Sequence, residues 1–318
     1  MIRLKEGSGE PSYDELPLED GIRHSWGLWG STDRFGCLNR IDGSHVLGAV
    51  GAVRRGAVFS LNWDLALPHP ALFGRPNLKH EIVLSANGTS LNDVLSDWNT
   101  QASSQWDGFR HVTWPDHGTY NGIVDNGVHH WAQRGIVARC VLADVGRWRE
   151  SIGRPLRFDV PDEISLADLV ATLDAQGSSI RHGDILLVRT GWIADYLTES
   201  EETRKRWADR DLLVAPGLSA NEDVVRWLWD KGVAAVASDN PALEVWPQGF
   251  GSDGQKKYSV TLHTRLLPAL GMPIGELWDL EGLGRDCAED RVYEAMLTSA
   301  PLHLVGGAAT PANAVVVK

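Results

Sequence analysis

The sequence predicts a single α/β domain built around a mixed sheet. Between residues 135 and 240, apolar strand-like runs alternate with segments of helical periodicity, a pattern typical of α/β architecture. The beginning and the end of the chain are also rich in strand-like runs, which can pair within the same domain. No internal repeat, low-complexity tract or linker divides the 318 residues, a length compatible with one large domain or two ordinary ones.

The first third of the chain is predicted to contain an arm, a short helix and two strands. Residues 1–22 are polar and acidic and form the predicted arm, whereas residues 23–318 form the predicted domain. Periodicity and alternation then predict, in order, a helix at 42–53, a strand at 57–65, a strand from 80 that ends in an Asn87–Gly88 turn, and a loop or helix at 91–98.

The rest of the chain carries the clearest periodicity. Three strongly apolar runs predict buried strands at 135–145, 183–192 and 232–241. Apolar spacings of three and four, or a charged helical pattern, predict helices at 164–177, 199–211 and 219–231. A further helix is predicted at 288–299, and a strand, a Gly-Gly bend and a final strand are predicted over 302–318.

Composition and charge argue against several classes of protein. The formal net charge of −12 disfavours nucleic-acid binding, which needs a basic face, and docking on anionic membranes. The chain shows no apolar run of membrane-spanning length and no signal-peptide core at its beginning. The three cysteines are scattered, unlike a disulfide framework or a cysteine zinc site. We therefore expect a cytoplasmic protein with no nucleic-acid or membrane partner.

The stretch Gln105–His111, QWDGFRH, is the densest in groups capable of chemistry. Asp107 and His111 are four residues apart, which places two side chains on one face of a helical turn, and a tight loop around Gly108 would also bring them together. A paired acid and imidazole can ligate a metal or perform acid–base catalysis. An aspartate that accepts a hydrogen bond from a structural histidine explains the same spacing, so the pattern alone leaves both readings open.

A second polar cluster lies downstream, at His263 and Glu276. His263 interrupts an apolar run, and Glu276 is flanked by apolar residues, where a carboxylate is costly to bury without a partner. Together with Asp107 and His111, these side chains would form an oxygen and nitrogen site suited to Zn or Mn. Structural roles remain open at each position, including turn capping, a core histidine, or an ion pair between Glu276 and an arginine.

Other common catalytic motifs are missing from the sequence. It contains no P-loop, no GxGxxG that follows a strand, and no GxSxG nucleophile elbow. The glycine-rich segment 112–134 has no regular period and holds three histidines, and long loops in compact domains are usually functional. Several of the 14 tryptophans lie in loop-like stretches, where they could wall an aromatic pocket or an oligomer interface.

Seven separated segments of the chain resemble one family. They are GSTDRFGCLN, QWDGFRH, GIVARCVLADV, GDILLVRTGW, SDNPALE, LHTRLLPALGMPIGELWDLEGL and GGAATPANAV. Collectively they resemble the cyclase family that includes bacterial kynurenine formamidase and isatin hydrolase. The resemblance implies a swivelling β/β/α fold, a homodimer or homotetramer, and hydrolysis of a C–N bond in an aryl amide or cyclic amide by a metal-activated water.

The sequence departs from this family's metal motif, HxGTHxDxPxH. When the motif is aligned on its aspartate, Asp107 and the final His111 are kept. The two leading histidines fall on Gln101 and Gln105, and the proline falls on Phe109. Two expected metal ligands are therefore replaced by amides.

The resemblance implies a ligand set of Asp107, His263, Glu276 and Gln105, the last through its carbonyl oxygen. A set this rich in oxygen favours Mn or Mg over Zn. The predicted cofactor is a divalent metal, Mn or Zn, and loss of the metal is the alternative. The string His117-Gly118-Thr119 only echoes the motif, but His117 remains a candidate replacement ligand.

Residues and resemblance together predict a metal-dependent hydrolase. His111 is the predicted catalytic residue, which passes a proton to the leaving nitrogen or oxygen. Trp106, Trp114 and Tyr120 are predicted to contact a planar or aromatic small-molecule substrate. Two alternatives stand beside this prediction. One is a metal-free cyclase, dehydratase or lactone-opening enzyme that uses Asp107 and His111 as an acid–base pair, and the other is a non-catalytic small-molecule binding protein.

Overall fold

A mixed nine-stranded sheet organises the fold. The computed structural model describes residues 9–248 and 260–318. Within them the strands are, in chain order, β1 (Leu18–Glu19), β2 (Ile22–Arg23), β3 (Val58–Ser60), β4 (Lys79–Leu84), β5 (Leu91–Ser96), β6 (Gln105–Asp107), β7 (Ile136–Asp144), β8 (Glu163–Ile164), β9 (Ile185–Arg189), β10 (Gly217–Leu218), β11 (Ala235–Ser238), β12 (Ile274–Glu276), β13 (Glu294–Ser299), β14 (Ala309–Pro311) and β15 (Ala314–Val317).

Helices lie between many of these strands. In chain order they are α1 (Gly43–Val50), α2 (His129–Arg134), α3 (Val145–Ser151), α4 (Leu166–Gln176), α5 (Trp192–Thr198), α6 (Glu201–Ala208), α7 (Glu222–Asp230), α8 (Leu262–Thr264) and α9 (Glu281–Asp290). Short 3-10 helices occur at Tyr13–Glu15, Gly36–Arg40, Leu72–Gly74 and Tyr120–Gly122, and a π-helical turn at Arg265–Ala269 follows α8.

The large sheet has a parallel centre and antiparallel flanks. Its strand order is β14-β6-β12-β11-β9-β7-β13-β15-β3. The four central strands β12, β11, β9 and β7 are parallel to one another, and β6 and β13 join them in antiparallel fashion. The side chains of β9 and β11 are almost all buried, as expected of parallel strands. The predicted α/β class with a mixed sheet is confirmed.

Helix α4 shows how the local sequence sets the ends of an element. The hydroxyl of Ser165 accepts a hydrogen bond from the backbone N–H of Asp168, and the Asp168 carboxylate accepts one from the N–H of Ser165. Gly177 ends the helix with a φ of +68°, in the left-handed region that glycine adopts easily. The helix predicted at 164–177 is confirmed.

Residues 302–305 form no strand, although one is predicted there before the Gly-Gly bend, and two further local predictions differ from the structure. The segment 91–98 contains strand β5, which pairs with β4 around the Asn87–Gly88 turn, rather than a loop or helix. The helix predicted at 288–299 is instead the end of α9, followed by strand β13. Side chains of β13 alternate between half-buried and buried positions along its length. In both segments cross-strand pairing decides the structure over local helical preference.

The β4–β5 hairpin is exposed on both faces. Its aliphatic side chains Ile82, Leu84 and Leu91 are 63%, 60% and 66% exposed. An isolated two-stranded hairpin is only marginally stable in water. The base of the hairpin is closed by Arg75, whose Nη1 donates a hydrogen bond to the backbone oxygen of Gln101 at 2.5 Å.

Residues 9–22 of the predicted arm lie against the domain. Tyr13 is buried, and its backbone N–H donates to the Asp230 carboxylate at the end of α7 at 3.0 Å. The Trp229 indole donates to the backbone oxygen of Pro11, also at 3.0 Å. Residues 1–8 of the predicted arm lie outside the described residues. Across the ranges that are described, no helix has both the length and the apolar character needed to cross a bilayer.

Candidate active site

The sheet brings the distant parts of the predicted site together. Strand β6 lies between β14 and β12, and its Gln105 pairs directly opposite Glu276 on β12. Because side chains alternate along a strand, Gln105 and Asp107 face the same side of the sheet. His263 comes from the short helix α8, and His111 follows the turn after β6. The five predicted ligand and catalytic residues therefore lie in one cluster.

Two imidazole nitrogens converge on one carboxylate oxygen in this cluster. The Nε2 atoms of His111 and His263 each lie 3.7 Å from Oδ2 of Asp107. That oxygen is buried and has no hydrogen-bond donor among the described residues. One candidate ligand atom from each of the three residues lies within 4.8 Å of the other two. A strand and a turn build this arrangement, not the helical turn that the spacing of four also allows.

Gln101 holds Asp107 and His111 in place. Its amide nitrogen Nε2 donates to Asp107 Oδ1 at 2.6 Å and lies 2.9 Å from His111 Nδ1. A carboxylate only accepts hydrogen bonds, so the amide nitrogen must face Asp107, and His111 Nδ1 must then be the acceptor of the second N–H. The neutral imidazole of His111 consequently carries its proton on Nε2, the atom that faces Asp107 Oδ2.

The amide of Gln105 is bonded through its nitrogen and leaves its oxygen without a donor among the described residues. Its Nε2 donates to Oε2 of Glu276 at 2.6 Å, which fixes the orientation of the amide by the same reasoning. Its carbonyl oxygen Oε1 is buried and has no hydrogen-bond donor among the described residues. The two glutamines that replace histidines therefore differ, because Gln101 contributes donors and Gln105 leaves an acceptor available.

His263 lies between two carboxylates. Its Nε2 is 3.0 Å from Glu276 Oε1, and its Nδ1 is 2.8 Å from Glu244 Oε1. Glu244 also accepts the backbone N–H of Leu262 at 2.8 Å and the amide of Gln248 at 3.0 Å, so its position is fixed. Sequence reasoning missed Glu244. The sequence feature that could have identified Glu244 is its position in the SDNPALE segment, which follows a buried strand.

Burial and charge shift the proton affinities of these groups. Burial alone would raise the pKa of Asp107, but the charge of His111 whenever its imidazole is protonated, together with the charges of His263 and Arg75, holds that pKa below its usual value. Burial, with the nearby Asp107 charge, raises the pKa of Glu276 to about 7. Burial lowers the pKa of His111, which agrees with the neutral imidazole that Gln101 favours.

The pKa of His263 shifts in the opposite direction from that of His111. Burial alone would lower its pKa, but the nearby carboxylates of Asp107, Glu244 and Glu276 raise its pKa well above the usual value. A protonated imidazole can donate from both ring nitrogens, which suits the carboxylates on its two sides, whereas a cation bound at Nε2 would displace the proton from that nitrogen.

The donor set of this cluster fits a divalent cation. Asp107 Oδ2 and Gln105 Oε1 are buried oxygens that lack a donor among the described residues, and such orphaned acceptors are costly inside a protein. Glu276 and His263 add a second carboxylate and an imidazole. Carboxylate, carbonyl and imidazole ligands in combination suit Mn, and imidazole with carboxylate also suits Zn.

A cavity of about 270 Å³ opens onto the cluster. His111, His263 and Glu276 line it, and Phe73 and Trp246 form an aromatic wall. Its size lies near the lower end of the roughly 300–1,000 Å³ that ligand pockets span. A larger cavity of about 680 Å³ lies elsewhere, next to the arm, and none of the predicted site residues line it. The smaller cavity is the candidate active site because the carboxylate and imidazole groups converge beside it.

The three predicted substrate-binding aromatics do not line this cavity. Trp106 points to the opposite side of the sheet from its strand neighbours, is fully buried, and donates its indole N–H to Ser299 Oγ at 2.9 Å. Tyr120 is buried and its hydroxyl donates to Asp33 at 3.2 Å. Trp114 is buried among other aromatic side chains. Trp246 is one of the loop-like tryptophans that the sequence offers as a pocket wall, whereas no local pattern singled out Phe73.

Three further histidines of the 112–134 segment, His117, His129 and His130, lie outside the cluster. His117 Nε2 is 2.8 Å from the Asp20 carboxylate, and His117 does not line the cavity. The rings of His129 and His130 are 3.9 Å apart, and both lie beside Asp125. Adjacent helix residues usually point apart, but these two sit in the first turn of α2 and contact each other.

Fold and site together define an α/β protein with a buried carboxylate–imidazole cluster at one side of a mixed sheet. A family model described as "Putative cyclase" matches residues 58–245, more than half of the chain. The protein belongs to this cyclase family, as the sequence resemblance predicted. Membership supports a hydrolase at the level of the family.

Solved structures agree with this assignment. A structure described as a novel cyclase is 27% identical, has a TM-score of 0.81, and covers 93% of this chain and 99% of its own. Isatin hydrolase A from Ralstonia solanacearum is 19% identical with a TM-score of 0.58, covering 87% of this chain and 98% of its own. Isatin hydrolase A from Labrenzia aggregata, bound to benzyl benzoate, is 17% identical with a TM-score of 0.53, covering 84% and 94%. No curated protein sequence matches the chain.

Proposed function

We propose that the protein is a metal-dependent hydrolase that opens or cleaves a C–N bond of an aryl amide or cyclic amide. The observation that carries this proposal is the convergence of two imidazole Nε2 atoms on the orphaned buried oxygen of Asp107 beside a cavity, with a second orphaned buried oxygen on Gln105, which pairs with Glu276. Family membership and the shared fold of isatin hydrolases support the reaction class by analogy.

Asp107, Gln105, His263 and Glu276 would hold the ion. Manganese is the metal that this oxygen-rich set suits best, with zinc as the second choice. A bound divalent cation polarises a carbonyl oxygen and lowers the pKa of water. Glu244 orients His263 through Nδ1, the arrangement by which proteins commonly fix ligating histidines.

His111 acts on the substrate from Nε2. Hydrolysis adds the water hydroxyl to the carbonyl carbon and a hydrogen to the nitrogen as the C–N bond breaks. The neutral His111 imidazole offers its Nε2–H to the oxygen or nitrogen that gains negative charge, while Gln101 holds Nδ1. His111 thus remains the proposed catalytic residue. Its proposed role is to donate a hydrogen bond or a proton from Nε2.

We also propose that the protein works in the cytoplasm as a homodimer or homotetramer. Cys37, Cys140 and Cys287 are unpaired and buried, which suits a reducing compartment. The exposed aliphatic side chains of the β4–β5 hairpin would be covered by a second copy of the chain.

The test is turnover of a panel of aryl amides, lactams and lactones by protein prepared without chelator. The proposal predicts hydrolysis of at least one amide or lactam, loss of that activity with chelator, and recovery with Mn or Zn. Activity that chelator does not change would favour the metal-free acid–base alternative. Ligand binding without any turnover would favour the binding-protein alternative.

A further inference from the structure

Four side chains form a continuous row along one wall of the active-site cavity. The Arg75 guanidinium lies 5.0 Å from the centre of the Phe73 ring. Phe73 packs edge-on against Trp246, with ring centres 4.9 Å apart, and the Arg210 guanidinium lies 5.2 Å from the Trp246 ring. All four residues line the same cavity. The row therefore combines a pair of apolar rings with two cations, and the charge of Arg210 acts on Arg75.

Few negative charges balance the two guanidinium groups of this row. Arg75 donates from Nη1 to the backbone oxygen of Gln101, an uncharged acceptor. Neither Arg75 nor Arg210 forms an ion pair with any carboxylate in the described ranges. The carboxylates that act most strongly on Arg75 are Asp107 and Glu276. If those two hold a cation, as proposed above, their charge is neutralised by it, and Arg75 lacks an anion.

We propose that the substrate is a planar amide or lactam that carries its own anionic group, a carboxylate or close equivalent, on a single aromatic ring. The ring lies along Phe73 and Trp246, and the anionic group is bound by Arg75 and Arg210. This proposal rests on the hydrolase function and names its substrate class. Guanidinium groups bind carboxylates with paired, charge-assisted hydrogen bonds, and they also stack on aromatic faces.

The size of the cavity supports the same ligand. About 270 Å³ accommodates a substituted single ring better than a large polycyclic molecule. Arg75 is half-buried, so its charge is less screened by water than that of an exposed arginine. Arg210 is exposed and lies at the solvent side of the row. Arg75 should therefore contribute more affinity than Arg210, and the Arg210 contribution should fall more steeply with salt.

The test is calorimetric binding of benzoate, benzenesulfonate and the neutral analogue benzamide to the metal-loaded protein. We expect both anions to bind at least about 10-fold more tightly than benzamide. R75Q should reduce anion binding by about 10–100-fold and R210Q by about 3–10-fold, without changing benzamide binding. R75K, which keeps the charge, should recover part of the loss. R206Q is the matched control, because Arg206 is exposed on the neighbouring helix α6 and does not line the cavity.

Two results would overturn the proposal. One is equal affinity for benzoate and benzamide in the wild-type protein. The other is anion binding that R75Q and R210Q leave unchanged, which would assign the anion to the metal alone. Metal content measured on the same preparation separates this failure from failure of the hydrolase proposal. Protein without metal or turnover rejects the hydrolase, whereas metal-loaded, active protein without anion preference rejects only the substrate class.

Discussion

Gln105 and Glu276 are 171 residues apart in the chain and face each other across the antiparallel β6–β12 pair, joined by a 2.6 Å hydrogen bond. The bond uses the amide nitrogen of Gln105 and leaves the amide oxygen buried and without a donor among the described residues. In the proposed site, this carbonyl oxygen takes the place of the histidine nitrogen that the sequence resemblance implies. Gln105 would thus keep the position of a ligand while changing its chemical type.

The tautomer of His111 follows from Gln101. The wild-type protein should carry the imidazole proton on Nε2, because Nδ1 accepts from the Gln101 amide. Q101E replaces that donor by a carboxylate, so the proton should move to Nδ1 and turnover should fall about 10–100-fold. Nitrogen NMR of histidine-labelled protein reads the tautomer directly, with H111A to assign the signal. An Nδ1–H tautomer in the wild-type protein would refute the role given to Gln101.

Removal of His111 should affect the reaction and spare the fold. H111A is expected to lower turnover by about 10²–10⁴-fold, because the donor to the reacting group is lost. Its melting temperature should change little, since His111 is partly exposed at the cavity. H303A, at an exposed histidine outside the cavity, is the matched control and should retain full activity. Steady-state kinetics on the amide identified by the substrate panel provides the measurement, and unchanged turnover would remove His111 from the mechanism.

A buried lysine provides a test of stability that is independent of the site. Lys318 Nζ lies 2.7 Å from Asp286 and 2.9 Å from Asp290, and only 2% of its side chain is exposed. K318M should reduce the free energy of unfolding by about 2 kcal/mol at pH 7, because the partners are only partly exposed. K205M, at an exposed pair with Glu201, should cost less than about 0.5 kcal/mol.

The effect of Lys318 should depend on pH. Burial would raise the pKa of Asp286 and of Asp290, but hydrogen bonds from Lys318, together with the nearby charge of Arg55, outweigh burial and lower both pKa values. Groups with a lowered folded pKa stabilise the protein above their unfolded pKa, about 4 for aspartate, and lose that contribution as pH falls further. Urea unfolding should therefore show a smaller difference between wild type and K318M at pH 3 than at pH 7. An equal difference at both values would contradict the ion-pair explanation.

The exposed hairpin predicts where the protein associates. Light scattering after size-exclusion chromatography should find a dimer or tetramer for the wild type. The double substitution I82D and L91D should shift it toward monomer, because charged side chains on this face oppose burial in an interface. L47D is the control, since Leu47 is 74% exposed on α1, away from the hairpin. A wild-type monomer at micromolar concentration would remove the basis for the oligomer.

Most members of the candidate site were predictable from the sequence, but the hydrogen bonds that connect them were not. Asp107, His111, His263 and Glu276 could be named from one motif and a resemblance, and the structure places them in one cluster. The role of Gln101 could not be predicted from the sequence, because it depends on which atom of the amide faces Asp107.

The aromatic residues show a second limit on what the sequence can predict about the site. Trp106 lies between Gln105 and Asp107 in the sequence. Because side chains alternate along a strand, it points away from them and is buried in the core. Phe73 and Trp246 lie far apart in the chain and meet only in the folded protein. The β13 segment shows the same limit for the fold, because its pairing with β7 and β15 links residues distant in sequence.

The metal content of matched variants tests the central claim most directly. Wild-type protein purified without chelator should hold about one divalent ion per chain. D107N and Q105L, which each remove one proposed ligand oxygen, should bind that ion at least about 10-fold more weakly. D174N and Q133L, at exposed positions on α4 and α2, should match the wild type. A wild-type protein that holds no ion, or D107N and Q105L variants that bind the ion as tightly as the wild type, would contradict the proposed site.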